Sequence, residues 1–133
     1  MYSLTVCDHI MIAHSFRGAE FGPAQRLHGA TYAVEAEFQA EQLDDANLLI
    51  DIGLARAVLR RVLDEVDYSN LDDNAAFAGR NTTTEFMAKH LFDRLAAACR
   101  DGMLGAGGKA VARIKMLLRE SPVAWAAFEG PIG

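Results

Sequence analysis

Two histidines, one glutamate and a run of threonines are the residues whose type and position could do chemistry. His14 ends a stretch, Tyr2 to His14, in which Leu4, Val6, Ile10 and Ile12 share its parity. His28 opens a second alternating stretch, again on the apolar parity. Neutral imidazole is the commonest zinc ligand, and strand residues at i and i+2 project to one side, so a His-x-His pair makes a natural chelate. Here Ala30 holds the position two after His28. Adjacent antiparallel strands would bring His14 and His28 together either as a satisfied polar pair or as the start of a metal site. Glu120 shares a parity with Ile114, Met116 and Leu118. A carboxylate there is paired, exposed at a strand end, or used to accept two N–H bonds from a flat heterocycle.

Three further groups need placing. Thr82-Thr83-Thr84-Glu85 fits a helix capping box, and a helix N-terminus with free N–H groups and hydroxyls also makes a binding rim. Asp67 and Tyr68 sit in a turn, where Asp67 either shapes the turn or orients a proton-transfer group. Cys7 and Cys99 are far apart and form neither a disulfide framework nor a zinc knuckle. They have no assigned chemistry, and neither do His9 and His90.

The elements that must hold these residues are legible as changes of period. Alternation over 2–14 and again over 27–41 predicts two strands, with Tyr32, Val34, Ala36 and Phe38 on a covered face and Thr31, Glu35, Glu37 and Gln39 on a wet one. Between them, Gly18, Gly22 and Pro23 break the pattern. After Asp51, a plausible N-cap, Leu54, Val58, Leu59, Val62, Leu63 and Val66 recur at helical spacing. Residues 67–79 are polar and turn-rich. A second helix is expected from Thr82, carrying Phe86, Met87, Leu91, Phe92 and Leu95, and ending at Gly102 to Gly108. A third strand is expected over 109–120, followed by a short tail with the only tryptophan, Trp125.

Two helices with apolar stripes need a sheet face to cover them, which predicts an α+β domain with an antiparallel sheet. The other sheet face and the long edges invite pairing with further copies of the chain.

Composition narrows the function classes. A chain of 133 residues with 51% hydrophobic and 23% charged residues reads as one globular domain. The formal net charge of −5 argues against a nucleic-acid or anionic-membrane partner. No apolar run approaches a membrane span, and Met1 to Cys7 lacks the pattern of a signal peptide, so a cytoplasmic setting is the expectation.

Taken together and in order, several segments are familiar. Ile12-Ala13-His14, Arg26-Leu27-His28-Gly29, Leu49-Ile50-Asp51, Val66-Asp67, Asn81-Thr82-Thr83-Thr84-Glu85, and Glu120-Ser121-Pro122 with Trp125-Ala126 and Phe128 are similar to the 6-pyruvoyltetrahydropterin synthase and 6-carboxytetrahydropterin synthase family across nearly the whole chain. The resemblance implies the tunnelling fold: an antiparallel sheet with two helices on one face, closing into a barrel in a trimer. In that family two trimers stack into a hexamer, and the active sites lie between subunits.

It also implies three zinc histidines, a cysteine four residues before the His-Gly-His motif, and an Asp-His pair from a neighbouring subunit. In this chain His14 and His28 match, but Ala30, Ala24 and Tyr68 replace the third ligand, the cysteine and the relay histidine. Asp67 is the remnant of the relay. The pterin-anchoring glutamate matches Glu120, and the rim matches Thr83, Thr84 and Glu85.

Three readings follow from this uneven match. The first is a diverged homohexamer that binds a pterin-like ring at Glu120, Thr83, Thr84 and Glu85, without a zinc cofactor and without the synthase reaction. The second is a working lyase of the pterin pathway with relocated groups, in which zinc returns and His14, His28, Asp67 and Tyr68 serve; Glu20 is a possible replacement donor. The third is a structural or regulatory subunit with no ligand.

Overall fold

Strand β1 (Tyr2–His14) and strand β2 (His28–Ala40) pair antiparallel over thirteen residues without a bulge, from Tyr2–Ala40 to His14–His28. The computed structural model describes residues 1–133. The alternation decides which side of this pair is covered. Val6, Ile10, Ile12, Tyr32, Val34, Ala36 and Phe38 are buried, while Thr5, Cys7, Met11, Thr31 and Ala33 between them are exposed. Helix α1 (Ile52–Leu63) is capped by the Asp51 carboxylate, which accepts the Leu54 N–H at 2.9 Å. Its stripe of Ala55, Val58, Leu59, Val62 and Leu63 lies on the covered face. Full burial of each larger side chain contributes about 1.5–3 kcal/mol.

Helix α2 (Thr84–Arg100) lies beside it and buries Met87, Leu91, Phe92 and Leu95 against the far strands. Strand β4 (Arg113–Ser121) pairs with β2, and strand β5 (Ala124–Pro131) pairs with β4, both antiparallel. A two-residue strand, β3 (Ser69–Asn70), joins parallel to β1 at Ile12 and Ala13. The sheet order is β3-β1-β2-β4-β5. No helix is long and apolar enough to cross a membrane.

The α+β architecture matches the sequence expectation, with four local differences. The second helix is capped by Thr83, whose hydroxyl accepts the Phe86 N–H at 3.2 Å, so it begins one turn position later than a cap at Thr82 implies. The third long strand starts at Arg113, because Gly107–Ala110 closes into a 3-10 turn. The break after β1 contains a 3-10 segment, Ala19–Gln25. The tail is a full fifth strand rather than an appendage. Its alanines at 124, 126 and 127 carry too little side chain to write an alternation, and the backbone ladder to β4 makes the strand instead.

The β1 edge is closed by side chains where β3 does not cover it. Asp67 Oδ1 accepts the Met11 N–H at 2.9 Å and the Tyr68 N–H at 3.0 Å, and Tyr68 N–H also reaches Met11 O at 2.8 Å. Arg60 binds Asp67 Oδ2 at 2.7 Å, Asp8 Oδ1 at 3.0 Å, Asp64 Oδ1 at 2.9 Å and the His9 carbonyl at 3.1 Å. One guanidinium thus ties α1 to the strand edge while Asp67 takes the place of a neighbouring strand. Asp67 is 12% exposed and Arg60 32%, so water screens the pairs only in part. Replacing Arg60 by Met strands the Asp67 carboxylate against β1. It is expected to cost about 1–2 kcal/mol of stability in urea unfolding. A loss within error of zero would show the network to be decorative.

Candidate functional site

The register that ends β1 and β2 brings the two histidines together, with ring centroids 4.6 Å apart and the planes tilted by 60°. Each is fixed by a backbone carbonyl. His14 Nδ1 donates to the Thr82 carbonyl at 3.0 Å, with the Thr82 hydroxyl at 3.1 Å, and His28 Nδ1 donates to the Arg26 carbonyl at 2.8 Å. A carbonyl only accepts, so both Nδ1 atoms carry a proton, and in the neutral ring this leaves the lone pair on Nε2. Phe16 packs on both rings, at 4.5 Å from His14 and 5.5 Å from His28, and Phe21 packs on Phe16 at 4.9 Å. His14 is 2% exposed; burial, and then His28, hold its pKa below the ordinary histidine value.

Tyr32 lies further along β2 on the same face, 1% exposed, with the Thr84 side chain near its hydroxyl. Burial pushes its phenol pKa up, and the charges of Glu120 and Glu85 add to the shift. Glu120 follows the last β2–β4 pair, Ala33–Arg119. It falls in a bulge, since β4 pairs Arg119 with Trp125 and then Ser121 with Ala124. Its exposed carboxylate accepts the Thr84 hydroxyl at 3.5 Å, the limit of a hydrogen bond. His14 also feels the Glu120 charge. The sequence thus brings His14, His28, Tyr32, Thr84, Glu85 and Glu120 to one end of the sheet, where β1, β2 and β4 meet the start of α2.

The three threonines divide the work. Thr82 is 1% exposed and holds His14, Thr83 caps α2, and Thr84 reaches Glu120. Thr83, expected on the rim, therefore has its hydroxyl oxygen committed to the Phe86 N–H. Sequence reasoning missed Tyr32 and Phe16. The first read as core and the second as part of a loop, and only the tertiary contacts reveal their neighbours.

Asp67 and Tyr68 lie at the outer edge of β1. Tyr68 is 80% exposed and holds a left-handed backbone with φ 56°. A bulky residue there is unusual, and its ring points away from its own chain. Neither thiol is poised as a nucleophile: burial pushes Cys99 up to about 11, and burial with Glu35 raises Cys7.

A family model for 6-pyruvoyl tetrahydropterin synthase matches residues 3–131. The chain belongs to the 6-pyruvoyl tetrahydropterin synthase family. It is 28% identical over 93 residues to the 6-carboxy-5,6,7,8-tetrahydropterin synthase of Bacillus subtilis, a match spanning 67% of this chain and 62% of that protein. Two solved structures share the fold. The Caenorhabditis elegans 6-pyruvoyl tetrahydropterin synthase has a TM-score of 0.76 at 20% identity, covering 97% of this chain and 95% of the other. The Plasmodium vivax enzyme has a TM-score of 0.80 at 14% identity, covering 98% of each chain. The tunnelling-fold expectation for the subunit agrees with these likenesses.

The zinc that the family implies needs three protein donors. Within one subunit His14 and His28 offer two nitrogens, the Ala30 methyl stands opposite Ile12, and no three His, Cys, Asp or Glu side chains cluster. Glu20 does not make up the set, because its carboxylate folds back onto Gly18. Restoring the third donor with Ala30→His is expected to raise zinc affinity at least about tenfold in a chelator competition, since the other two rings already present Nε2. An unchanged zinc content would mean that Phe16 and its neighbours hold the rings out of ligating geometry.

Acid should loosen this end of the fold. Burial lowers the pKa of both His14 and His90 below the unfolded value of ~6.5. Below that pH the unfolded chain binds more protons than the folded one. Their contribution to stability is therefore full above about pH 6.5 and is lost as the pH falls toward their folded values. The urea midpoint is expected to drop between pH 7.5 and 5.5, and His90→Asn to flatten the drop. A midpoint independent of pH over that span would contradict it.

Proposed function

We propose that this chain is a diverged member of its family that binds a pterin-like heterocycle without carrying out the zinc-dependent synthase reaction. The single observation behind the reading is an unequal pair of half-sites. Glu120 is lifted out of the β4 ladder by a bulge, exposed and free of any cationic partner, and is steadied only by Thr84. A pterin edge offers an amino group and a ring N–H as adjacent donors, which one carboxylate accepts in parallel. Beside it the metal half supplies only two donors, Ala24 stands where the family has its cysteine, and Asp67 is committed to Arg60 and the β1 edge.

Assembly with further copies is part of the same proposal. The Ser3–Cys7 stretch of β1 has no strand on its outer side, β5 is the opposite edge of the sheet, and Met11, Leu27, Tyr68 and Trp125 are exposed. Edges of this length favour pairing with another copy, and a trimer or a hexamer of stacked trimers is the family's solution. The Glu120 site opens at the end of the sheet, where a second subunit would complete its wall.

A second reading is favoured by one observation: both imidazoles spend Nδ1 on a backbone carbonyl, leaving Nε2 uncommitted, and His14 feels the charge of Glu120. In that reading His14 and His28 take part in catalysis on a reduced pterin. One tightly held zinc per subunit, removable with loss of turnover, would establish it in place of the first.

The test of the first reading is a fluorescence titration with neopterin and biopterin. Wild-type protein is expected to bind, and Glu120→Ala to weaken binding by about ten- to a hundredfold, the loss of a charged double hydrogen bond. The assembly mass in sedimentation should stay unchanged. Equal affinity of wild type and variant would overturn Glu120 as the binding group, and no binding by either would leave the chain as a subunit without a ligand.

A further inference from the structure

On the solvent side of the helix layer, a cleft of about 250 Å3 runs between α1 and α2. Val62 and Ala98, both buried, form its floor together with Met103 from the turn that follows α2. Arg61 stands on the α1 wall and Asp101 on the α2 wall. Glu65 and Arg94 bridge the two helices at one end, with Glu65 accepting from Arg94 Nε at 2.9 Å and from Nη2 at 2.8 Å. In the other direction the apolar floor continues past Met103 to Leu54, Ala57 and Val58. A helix rises about 1.5 Å per residue, so Ala98 lies about 21 Å along α2 from Thr84 and the ring site.

The charges on the two walls are unspent. Arg61 has no carboxylate within salt-bridge distance, and Asp101 has no cation within it, so they line one cleft without meeting. Asp101 also stands in an unfavourable place. It caps the C-terminal end of α2, where the helix dipole is negative. Arg100, the basic residue of that last turn, donates to the Ile132 carbonyl instead. An anion alone in the cleft would pair with Arg61 and repel Asp101, and a cation alone would do the reverse. A ligand that carries both charges on an apolar skeleton satisfies both walls and the floor.

We infer that the cleft between α1 and α2 binds a free amino acid with an aliphatic side chain. Its carboxylate pairs with the Arg61 guanidinium, and its ammonium pairs with Asp101 at the negative end of α2. The side chain lies over Val62, Ala98 and Met103, whose flexible thioether adapts to its shape. The site is separate from the ring site and stands or falls without it.

Calorimetric titration of the full chain with L-leucine at constant pH and ionic strength tests this. Saturable binding to one site per subunit is expected. Arg61→Gln and Asp101→Asn should each weaken it about tenfold or more, the loss of one charged hydrogen-bonded pair. Both residues are exposed, so circular dichroism of the variants should match wild type. Ala97→Leu keeps a good helix former and fills the cleft, and it should abolish saturation.

Two analogues read the charges separately. 4-Methylpentanoate lacks the ammonium and 3-methylbutylamine lacks the carboxylate, so each should bind about tenfold more weakly than leucine or worse. Arg61→Gln should leave the affinity of the amine unchanged, since that molecule has nothing for the guanidinium to hold. Heats that do not saturate with leucine overturn the proposal. Equal affinities for leucine and either analogue, or leucine binding that persists undiminished in both charge variants, overturn it as well.

Discussion

The unbroken register between β1 and β2 is the constraint on which the site rests. Side chains alternate with period two, so slipping the pairing by one residue would turn every core side chain of β1 to the wet face. The same register sets His14 opposite His28, Ile12 opposite Ala30 and Ile10 opposite Tyr32. Core packing and site geometry are thus one specification. Burial of Ile10, Ile12, Val34 and Phe38 against the helices holds the two imidazoles where they meet.

Around that fixed pair the functional groups differ in how freely they can act. The imidazoles are oriented by carbonyls and packed by Phe16, an arrangement that sets tautomers firmly. Glu120 is held by a single long hydrogen bond from Thr84. Asp67 is spent on architecture, since its two oxygens satisfy two backbone N–H groups and one guanidinium. A carboxylate so engaged is held in place, which suits an edge plug better than a proton shuttle. The chain keeps its rigid parts where a metal centre would need them and its accessible acceptor where a ligand would need it.

Much of this was legible in the residues because strands and helices write their periods plainly. The parity of Val6, Ile10 and Ile12, the stripe from Leu54 to Val66, and the shared face of His14, His28 and Glu120 are all direct consequences of alternation or helical spacing. Three things were not legible. The fifth strand is poor in side-chain signal, so nothing in Ala124 to Ala127 announces it. The division of labour among Thr82, Thr83 and Thr84 depends on which hydroxyl faces His14, the helix end or Glu120, and identical residues in a row cannot reveal that. Tyr32 looks like core by parity and is core by burial; only its neighbours show that its hydroxyl belongs to the site.

The bulge at the end of β4 gives the length of the last hairpin a role of its own. Pro122 has no N–H to extend the ladder, and between the pairs Arg119–Trp125 and Ser121–Ala124 one strand holds a residue that the other lacks. An in-frame loss of a single codon there would return Glu120 to an ordinary rung, with its backbone spent on β5, while the sheet beneath it stayed whole. Grafting this exposed carboxylate onto another scaffold therefore means copying a residue count as well as a glutamate.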